Sequence, residues 1–371
     1  MPWHLCMAGK LAAHGATLIF LTHPSKCDDV FRASATGAFQ AEILPPVGTR
    51  GIKLVRTLAR FIRDRRVDVF HMNFVRPWEA MGIMGLTKLA GRKTTFLYHK
   101  QSSGRLIHNR WNPKKYVNPL SVMSLFVDKI VCLSDAVLDN CVNRGVSRRK
   151  LVRIYNGVGT DRFVGVRDRG RIRQEYGIPS EHRIITVIKE ARPETGLQDL
   201  LLSIPAVLRK CPNTTFLLVG GGEETPKLIA LAESLGLGKN LIFTGVRHDI
   251  PEIVAESFFT VNPSPVEAFG NVIVESMAAG KPVIGVNAWG PKEIILNGQT
   301  GLLVEPADPT QFAPAIIELL QSPDRVEAMG KKSFDRSTNE FSLEACASRM
   351  VSLWSSYLWT SSTKAVVSAG P

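Results

Sequence analysis

From residue 184 onward the sequence alternates, at short and regular intervals, between apolar runs and segments with helical apolar spacing. Strands are predicted over Ile184 to Ile188, Thr215 to Val219, Leu241 to Thr244, Phe258 to Asn262, Pro282 to Val286 and Gly301 to Val304. Helices fall between them, the clearest over Leu197 to Arg209 and Lys227 to Leu235. Such alternation implies a parallel sheet with right-handed crossovers. The first half repeats the pattern less regularly. Its strands are predicted over Ala16 to Leu21, Gln40 to Leu44, Val67 to Met72, Thr94 to Tyr98, Lys129 to Leu133 and Val152 to Tyr155. Helices are predicted at about Ile52 to Arg65, Trp78 to Leu89 and Leu120 to Leu125, with a further one N-capped by Ser134. At 371 residues the chain has room for two such domains.

Within this pattern, residues 261–283 (VNPSPVEAFGNVIVESMAAGKPV) combine a strand end, a turn and a helix start at Asn271. Open α/β sheets bind phosphorylated ligands at such junctions, because amides at the helix start face the anion and the helix dipole favours its charge. Gly270 lets the backbone approach. Two carboxylates bracket the turn, Glu267 in the loop and Glu275 in the first turns of the helix. An acid beside a phosphate repels it unless the acid accepts hydrogen bonds from neutral donors. Sugar hydroxyls are such donors, so the stretch is suited to a nucleotide sugar.

Bulk properties exclude some classes. No run reaches the roughly 18 apolar residues of a membrane span, and no charged region followed by an apolar core marks a signal peptide. A cytoplasmic location is expected. The six cysteines show no CxxC spacing and read as buried thiols rather than as a metal site or a disulfide framework. The net charge of +13 is unevenly distributed: residues 1–185 carry 31 Lys plus Arg against 13 Asp plus Glu, and residues 186–371 carry 15 against 20. A basic first half faces either an anionic membrane surface, at the inner face, or a phosphorylated acceptor, or its charge serves solubility. No helix-turn-helix, zinc or RNP-type signature supports nucleic acid as a partner. Residues 105–118 (RLIHNRWNPKKYVN) interleave basic and aromatic side chains, which suits either contact with acceptor or lipid headgroups or a solvated loop.

The frame PS-x-x-E-x-FG-x-x-x-x-E-x-M-A-x-G-x-PV around Glu267 and Glu275 resembles that of the retaining glycosyltransferases of family 4. The similarity runs from about residue 11 to about residue 355. It implies the GT-B architecture, two Rossmann-like α/β domains with parallel sheets facing a cleft. The expected division is a first, acceptor-side domain over 1–163, a linker over 164–183, a nucleotide-sugar domain over 184–340, a helix over 341–359 returning to the first domain, and a loose tail over 360–371. The family's first strand and its Gly-rich loop have no counterpart in residues 1–10, so the first domain is expected to lack its first strand.

The resemblance further implies that Glu267 contacts the hydroxyls of the donor sugar, that Glu275 binds the ribose, and that amides near Phe269, Gly270, Asn271 and Val272 hold the phosphates. Glycines 220–222, with Gly221 at their centre, are expected to leave room for the nucleotide. His99, at a strand end, resembles the family residue that touches donor sugar and acceptor. His71 and Asn73 also lie at the C-terminal end of a strand, where cleft residues belong. They are assigned to the acceptor side, although a satisfied, partly buried histidine is the competing reading for His71. Glu267 and His99 are thus the candidate catalytic residues. The implied reaction is retaining transfer of a sugar, of the hexosyl type, from a nucleotide-diphosphate sugar to a hydroxyl of a glycan or lipid-linked acceptor. No metal and no other cofactor is implied.

The sequence departs from the family where it normally holds the diphosphate. The pattern G-R-L-x-P-x-K-G reads KEARPETG here, placing Glu190 and Thr195 at the arginine and lysine positions. Lys189 and Arg192 are the nearest replacement cations. Because Lys189 projects opposite to Glu190 on a strand, Arg192 is the expected substitute. Gly159 likewise stands where the family has aspartate. A second reading follows, a catalytically impaired GT-B protein that serves as a binding or partner subunit.

Overall fold

The computed structural model describes residue 10 and residues 17–22, 40–43, 51–73, 77–90, 94–100, 119–306, 308–357 and 365–369. The chain divides into two units, Met1–Gly157 with Leu343–Pro371, and Val158–Ser342. In chain order the first unit contains β1 (Thr17–Thr22), β2 (Gln40–Ile43), α1 (Ile52–Asp64), β3 (Val69–Asn73), α2 (Pro77–Leu89), β4 (Thr95–Lys100), α3 (Pro119–Ser124), β5 (Lys129–Cys132), α4 (Asp135–Asn143) and β6 (Leu151–Arg153). The second unit contains α5 (Arg171–Tyr176), β7 (Arg183–Ile188), α6 (Leu197–Lys210), β8 (Thr214–Val219), α7 (Thr225–Ser234), β9 (Leu241–Gly245), α8 (Ile250–Glu256), β10 (Phe259–Asn262), α9 (Asn271–Ala278), β11 (Val283–Val286), α10 (Trp289–Ile294), β12 (Gly301–Val304), α11 (Phe312–Leu320) and α12 (Pro323–Phe341). The chain then returns to the first unit with α13 (Leu343–Ser355) and β13 (Ala365–Ala369). The protein therefore has the GT-B composition, two parallel α/β sheets in Rossmann-like units.

The second unit follows directly from its apolar pattern. Every residue of β8 is buried, as befits a strand covered by helices on both faces. α6 buries Leu197, Leu200, Leu201, Ile204 and Val207, the stripe that its spacing predicts. That stripe packs with Ile185, Phe216, Leu218 and Phe259 on one face of the sheet. The opposite face buries Ile184, Leu217 and Val219 against Ile172 and Ile178. Those last two residues fall in the segment expected to be a linker. Residues 164–183 instead belong to the second unit, because two apolar side chains bury there and the buried Glu256 accepts the amides of Ile172 and Arg173 at 2.9 and 3.1 Å.

The predicted helix over 341–359 is also divided differently. Phe341 ends α12, its ring packed edge-on against Phe269 at 5.7 Å, and Ser342 is extended at φ −62° and ψ 156°. A new helix begins at Leu343.

In the first unit, Phe70 and Phe96, both fully buried, meet edge to face at 6.3 Å. Ser134 caps α4 as predicted, its hydroxyl accepting the Val137 amide at 3.2 Å. The strand order is β2-β1-β13-β3-β4-β5-β6, every pairing parallel. Residues 365–369, expected to be part of a loose tail, thus form an interior strand, between β1 and β3. The place where a strand was expected to be missing is filled. Residues 105–118 lie outside the described residues. Among the described residues no helix is long and apolar enough to cross a membrane.

Candidate functional site

The sheet of the second unit has the order β12-β11-β10-β7-β8-β9. The chain leaves β7 toward β8 and leaves β10 toward β11, on opposite sides, so the loops after β7 and β10 diverge at a topological switch point. Ligands of open α/β sheets bind in that crevice. The loops are residues 189–196 and 263–270, the two that carry the departure from the family pattern and Glu267.

Lys189 and Glu267 meet there. The Lys189 amide continues the ladder by donating to the Val219 carbonyl at 2.9 Å, and its ammonium donates to Glu267 Oε2. The pair is partly sheltered, with side-chain exposures of 16% and 25%. Glu190 goes the other way and pairs with Arg192, both side chains half exposed. That carboxylate raises the guanidinium pKa of Arg192. Thr195, at the family's lysine position, is buried and donates its hydroxyl to the Arg192 carbonyl at 2.6 Å. The cation paired with Glu267 is therefore Lys189, and Arg192, the expected substitute on the diphosphate, is paired with Glu190. The alternation that placed Lys189 opposite Glu190 is observed, but the Lys189 side is the one that faces the β10 loop.

The loop carrying Glu267 is fixed by its own polar groups. The Ser264 amide donates to Asn262 Oδ1 at 3.1 Å, and the Ser264 hydroxyl donates to the Val266 carbonyl at 3.2 Å. The Gly290 amide donates to the Glu267 carbonyl at 2.9 Å. A Cβ at Gly290 would lie 2.1 Å from the Phe269 carbonyl oxygen, so only glycine allows α10 to approach this closely. Trp289 beside it has φ 50°, a strained value for a bulky residue. Phe269 is buried and contributes its ring to the core.

Gly270, at φ 109°, precedes α9 and offers no side chain to cap it. Asn271 is exposed and Val272 partly so. Glu275 lies one turn further on the face of Asn271. Burial pushes its carboxyl pKa up, and Arg162, from a short 3-10 turn over Thr160–Arg162, opposes the shift. Sequence spacing gives no signal for Arg162, whose approach to α9 is tertiary. Trp289 was likewise unmarked.

The glycine triplet serves packing more than space. A Cβ at Gly220 would lie 2.2 Å from the Lys189 carbonyl oxygen, and one at Gly222 would lie 2.3 Å from that of Ala191. Both therefore seat the 189–191 loop. Only at Gly221 is the space open, the nearest atom being Val246 Cγ2 at 3.8 Å.

In the first unit His71 and His99 stack with ring centroids 5.4 Å apart and planes at 18°, and Trp354 of α13 meets His71 edge-on at 5.7 Å. His71 is fully buried, and among the described residues neither ring nitrogen has a hydrogen-bond partner. Among the same residues His99 Nε2 is also without one. His71 is thus neither a satisfied histidine nor exposed at a surface; it lies within the core under Trp354. Burial holds its pKa well below the ordinary histidine value, with His99 adding to the effect, and burial lowers His99 to about 4. Both rings are neutral at pH 7. Asn73 ends β3 in register with His99.

Taken by unit, the second can present a sheltered cation, a carboxylate beside it and the start of α9, which together suit an anion with attached hydroxyls. The first offers neutral imidazole at the end of β4. Among the described residues no group of three or more His, Cys, Asp or Glu is placed to hold a metal ion.

Comparison with known proteins identifies the family and the fold. The family profile described as Glycosyl transferases group 1 matches residues 168–336, and that of Glycosyltransferase Family 4 matches residues 6–162. The chain is 26% identical over 313 residues to N-acetyl-alpha-D-glucosaminyl L-malate synthase of Bacillus anthracis, spanning 82% of this chain and 78% of that protein. It is 32% identical over 184 residues to a GDP-mannose-dependent alpha-(1-6)-phosphatidylinositol monomannoside mannosyltransferase of Mycolicibacterium smegmatis, where the match covers 47% of this chain and about half (48%) of the relative. In fold it is similar to a glycosyltransferase from Rickettsia africae, with a TM-score of 0.79, 20% identity and coverage of 97% and 95% of the two chains. It is also similar to Anabaena HepE in complex with UDP, with a TM-score of 0.75, 19% identity and coverage of 92% and 100%.

Proposed function

Because this chain belongs to glycosyltransferase family 4, we propose that it transfers a hexosyl group from a nucleotide-diphosphate sugar to a hydroxyl of a glycan or lipid-linked acceptor, with retention. The observation that carries the reading is the meeting of Lys189 and Glu267 at the switch point of the second unit. A lysine ammonium has three donors. One engages Glu267, and the others serve diphosphate oxygens without breaking that pair. Glu267 keeps acceptor capacity for sugar hydroxyls, Glu275 takes the ribose, and the start of α9 at Gly270, Asn271 and Val272 adds its dipole to the phosphate side. Gly221 provides open space beside this loop.

In the transfer the acceptor oxygen bonds to the anomeric carbon as the bond from that carbon to the diphosphate oxygen breaks. The departing phosphate takes the acceptor proton, and the protein mainly stabilises developing charge. Neutral His99 is suited to hydrogen bonding with sugar and acceptor, with Asn73 beside it in register. An anionic lipid surface as the place of the acceptor is supported by Leu89 and Leu125, 85% and 75% exposed, near Lys88, whose ammonium donates to the Phe126 carbonyl at 3.1 Å.

The second reading, a binding subunit without turnover, is favoured by Glu190 and Thr195 at the family's cation positions. Titration calorimetry with UDP, GDP and ADP sugars, followed by measurement of donor consumption with acceptor extracts, tests both. Binding with turnover is expected. Failure of the folded protein to bind any of the three would overturn the proposal, and binding without turnover would select the second reading.

A further inference from the structure

Trp289 holds a backbone conformation that does not suit its side chain. Its φ of 50° lies in the left-handed region, where glycine is at home and a bulky residue is strained. The turn is pinned from both sides. The Asn287 amide donates to the Val304 carbonyl at 2.7 Å, at the end of β12, and Asn287 Nδ2 donates to Glu305 Oε1 at 2.7 Å. The Ala288 amide closes on the Val286 carbonyl at 2.7 Å, and the Gly290 amide donates to the Glu267 carbonyl at 2.9 Å. Strain of this kind persists only where the surrounding structure over-determines it, and such residues gather at ligand sites.

Neither the backbone nor the core accounts for a tryptophan here. Ala288 packs against the core, and Gly290, Pro291 and Ile294 are buried, but Trp289 is only partly covered. Among the described residues no ring contact and no hydrogen bond engages its indole. What Trp289 does have beside it is the Glu267 loop. β11 and β10 are adjacent and parallel, with Gly285 opposite Asn262, so the segments that follow them, 287–290 and 263–270, leave from the same edge of the sheet. That edge carries the Lys189–Glu267 pair.

We propose that Trp289 is a specificity-determining residue of the donor site, an aromatic platform for the hexosyl ring of the nucleotide sugar. A pyranose has a rim of hydroxyls and a face of C–H groups. Glu267 accepts hydrogen bonds from the rim, and the indole covers the face, its apolar body and polar edge matching a ligand that is part apolar and part wet. The indole Nε1–H can only donate, which complements an ionised Glu267 that can only accept. The strain then serves binding: glycine would relax the turn and leave the sugar face open to water. This inference rests on the sugar-transfer reading, since a platform for a hexosyl ring needs a hexosyl donor.

Calorimetric titration of the full chain, of Trp289→Gly and of Trp289→Phe tests it, using UDP, GDP or ADP, whichever the native chain prefers, and the hexose conjugate of that diphosphate. In Trp289→Gly the dissociation constant of the conjugate should rise about tenfold, the scale of one uncovered aromatic face, while that of the diphosphate stays within about twofold. Trp289→Phe, which keeps a ring, should bind the conjugate within about threefold of the native chain. The urea midpoint of Trp289→Gly should equal or exceed the native one, because glycine accepts the positive φ. A lower midpoint would assign the indole to packing and overturn the proposal, as would an equal change for both ligands. A native chain that binds no nucleotide sugar would overturn the sugar-transfer reading and the platform with it. A native chain that binds the conjugate, with Trp289→Gly binding it equally well, would overturn the platform alone.

Discussion

Replacing Lys189 by Met removes the cation paired with Glu267 while keeping a side chain of similar length. The Lys189 side chain is 16% exposed, so its charge acts in a sheltered place rather than in bulk water. A hydrogen bond to a charged group contributes about 1.5–3 kcal/mol. The start of α9 supplies only about 0.3–1 kcal/mol to an exposed anion and cannot replace it. The dissociation constant of the preferred nucleoside diphosphate should therefore rise roughly 10- to 150-fold in Lys189→Met. Binding of the matching nucleoside, which lacks phosphates, should not change. Arg192→Met is the contrast: its guanidinium is half exposed and already paired with Glu190, and its loss should change affinity by less than about threefold. Calorimetry on the three proteins, with thermal melts to verify folding, gives the comparison. If Lys189→Met binds the diphosphate within twofold of the native chain, the assignment of Lys189 to the diphosphate is wrong.

Three further outcomes follow from the same geometry. Gly222→Ala places a Cβ against the Ala191 carbonyl and should cost about 1–3 kcal/mol in denaturant unfolding, whereas Gly221→Ala should stay within about 0.5 kcal/mol of the native chain; equal effects would refute the packing argument. With His99 held at about 4 and His71 also lowered, the folded chain binds fewer protons than the unfolded chain as pH falls below about 6.5. The stabilisation is complete above that pH and is lost toward pH 4, on the order of 3 kcal/mol for His99, so urea unfolding should weaken on acidification and weaken less in His99→Gln. The double variant Leu89→Ser, Leu125→Ser should co-sediment less with anionic lipid vesicles than the native chain, and a native chain that ignores such vesicles would remove the surface reading.

What could be read from the sequence was what local pattern determines. The strand, turn and helix around Glu267 and Glu275 were legible because apolar spacing, a glycine at positive φ and a helix start all lie within 23 residues, 261–283. The α4 cap at Ser134 was legible for the same reason. The roles of Gly220 and Gly222 were not, since each is imposed by a carbonyl some 30 residues earlier in the chain. Lys189 lies between these cases. Alternation correctly set it opposite Glu190, but which side of a strand end faces the ligand loop depends on its neighbour in the sheet, and β10 lies some 70 residues further along.

β13 carries the argument to its limit. AVVSA has too few large residues to announce a buried strand, and its partners, β1 and β3, are some 300 residues away in the chain. A position near the end of a sequence favours reading such a segment as loose, because local propensity cannot report an open slot elsewhere. The requirement comes from the sheet. Once β1 pairs with β2 on one side and β3 pairs with β4 on the other, two inward edges remain, and five residues with free backbone groups suffice to close them. The same reasoning explains why the first unit was expected to lack a strand. That expectation counted strands in chain order, whereas the sheet needs only that the position between β1 and β3 be filled, and here a segment from beyond the second unit fills it.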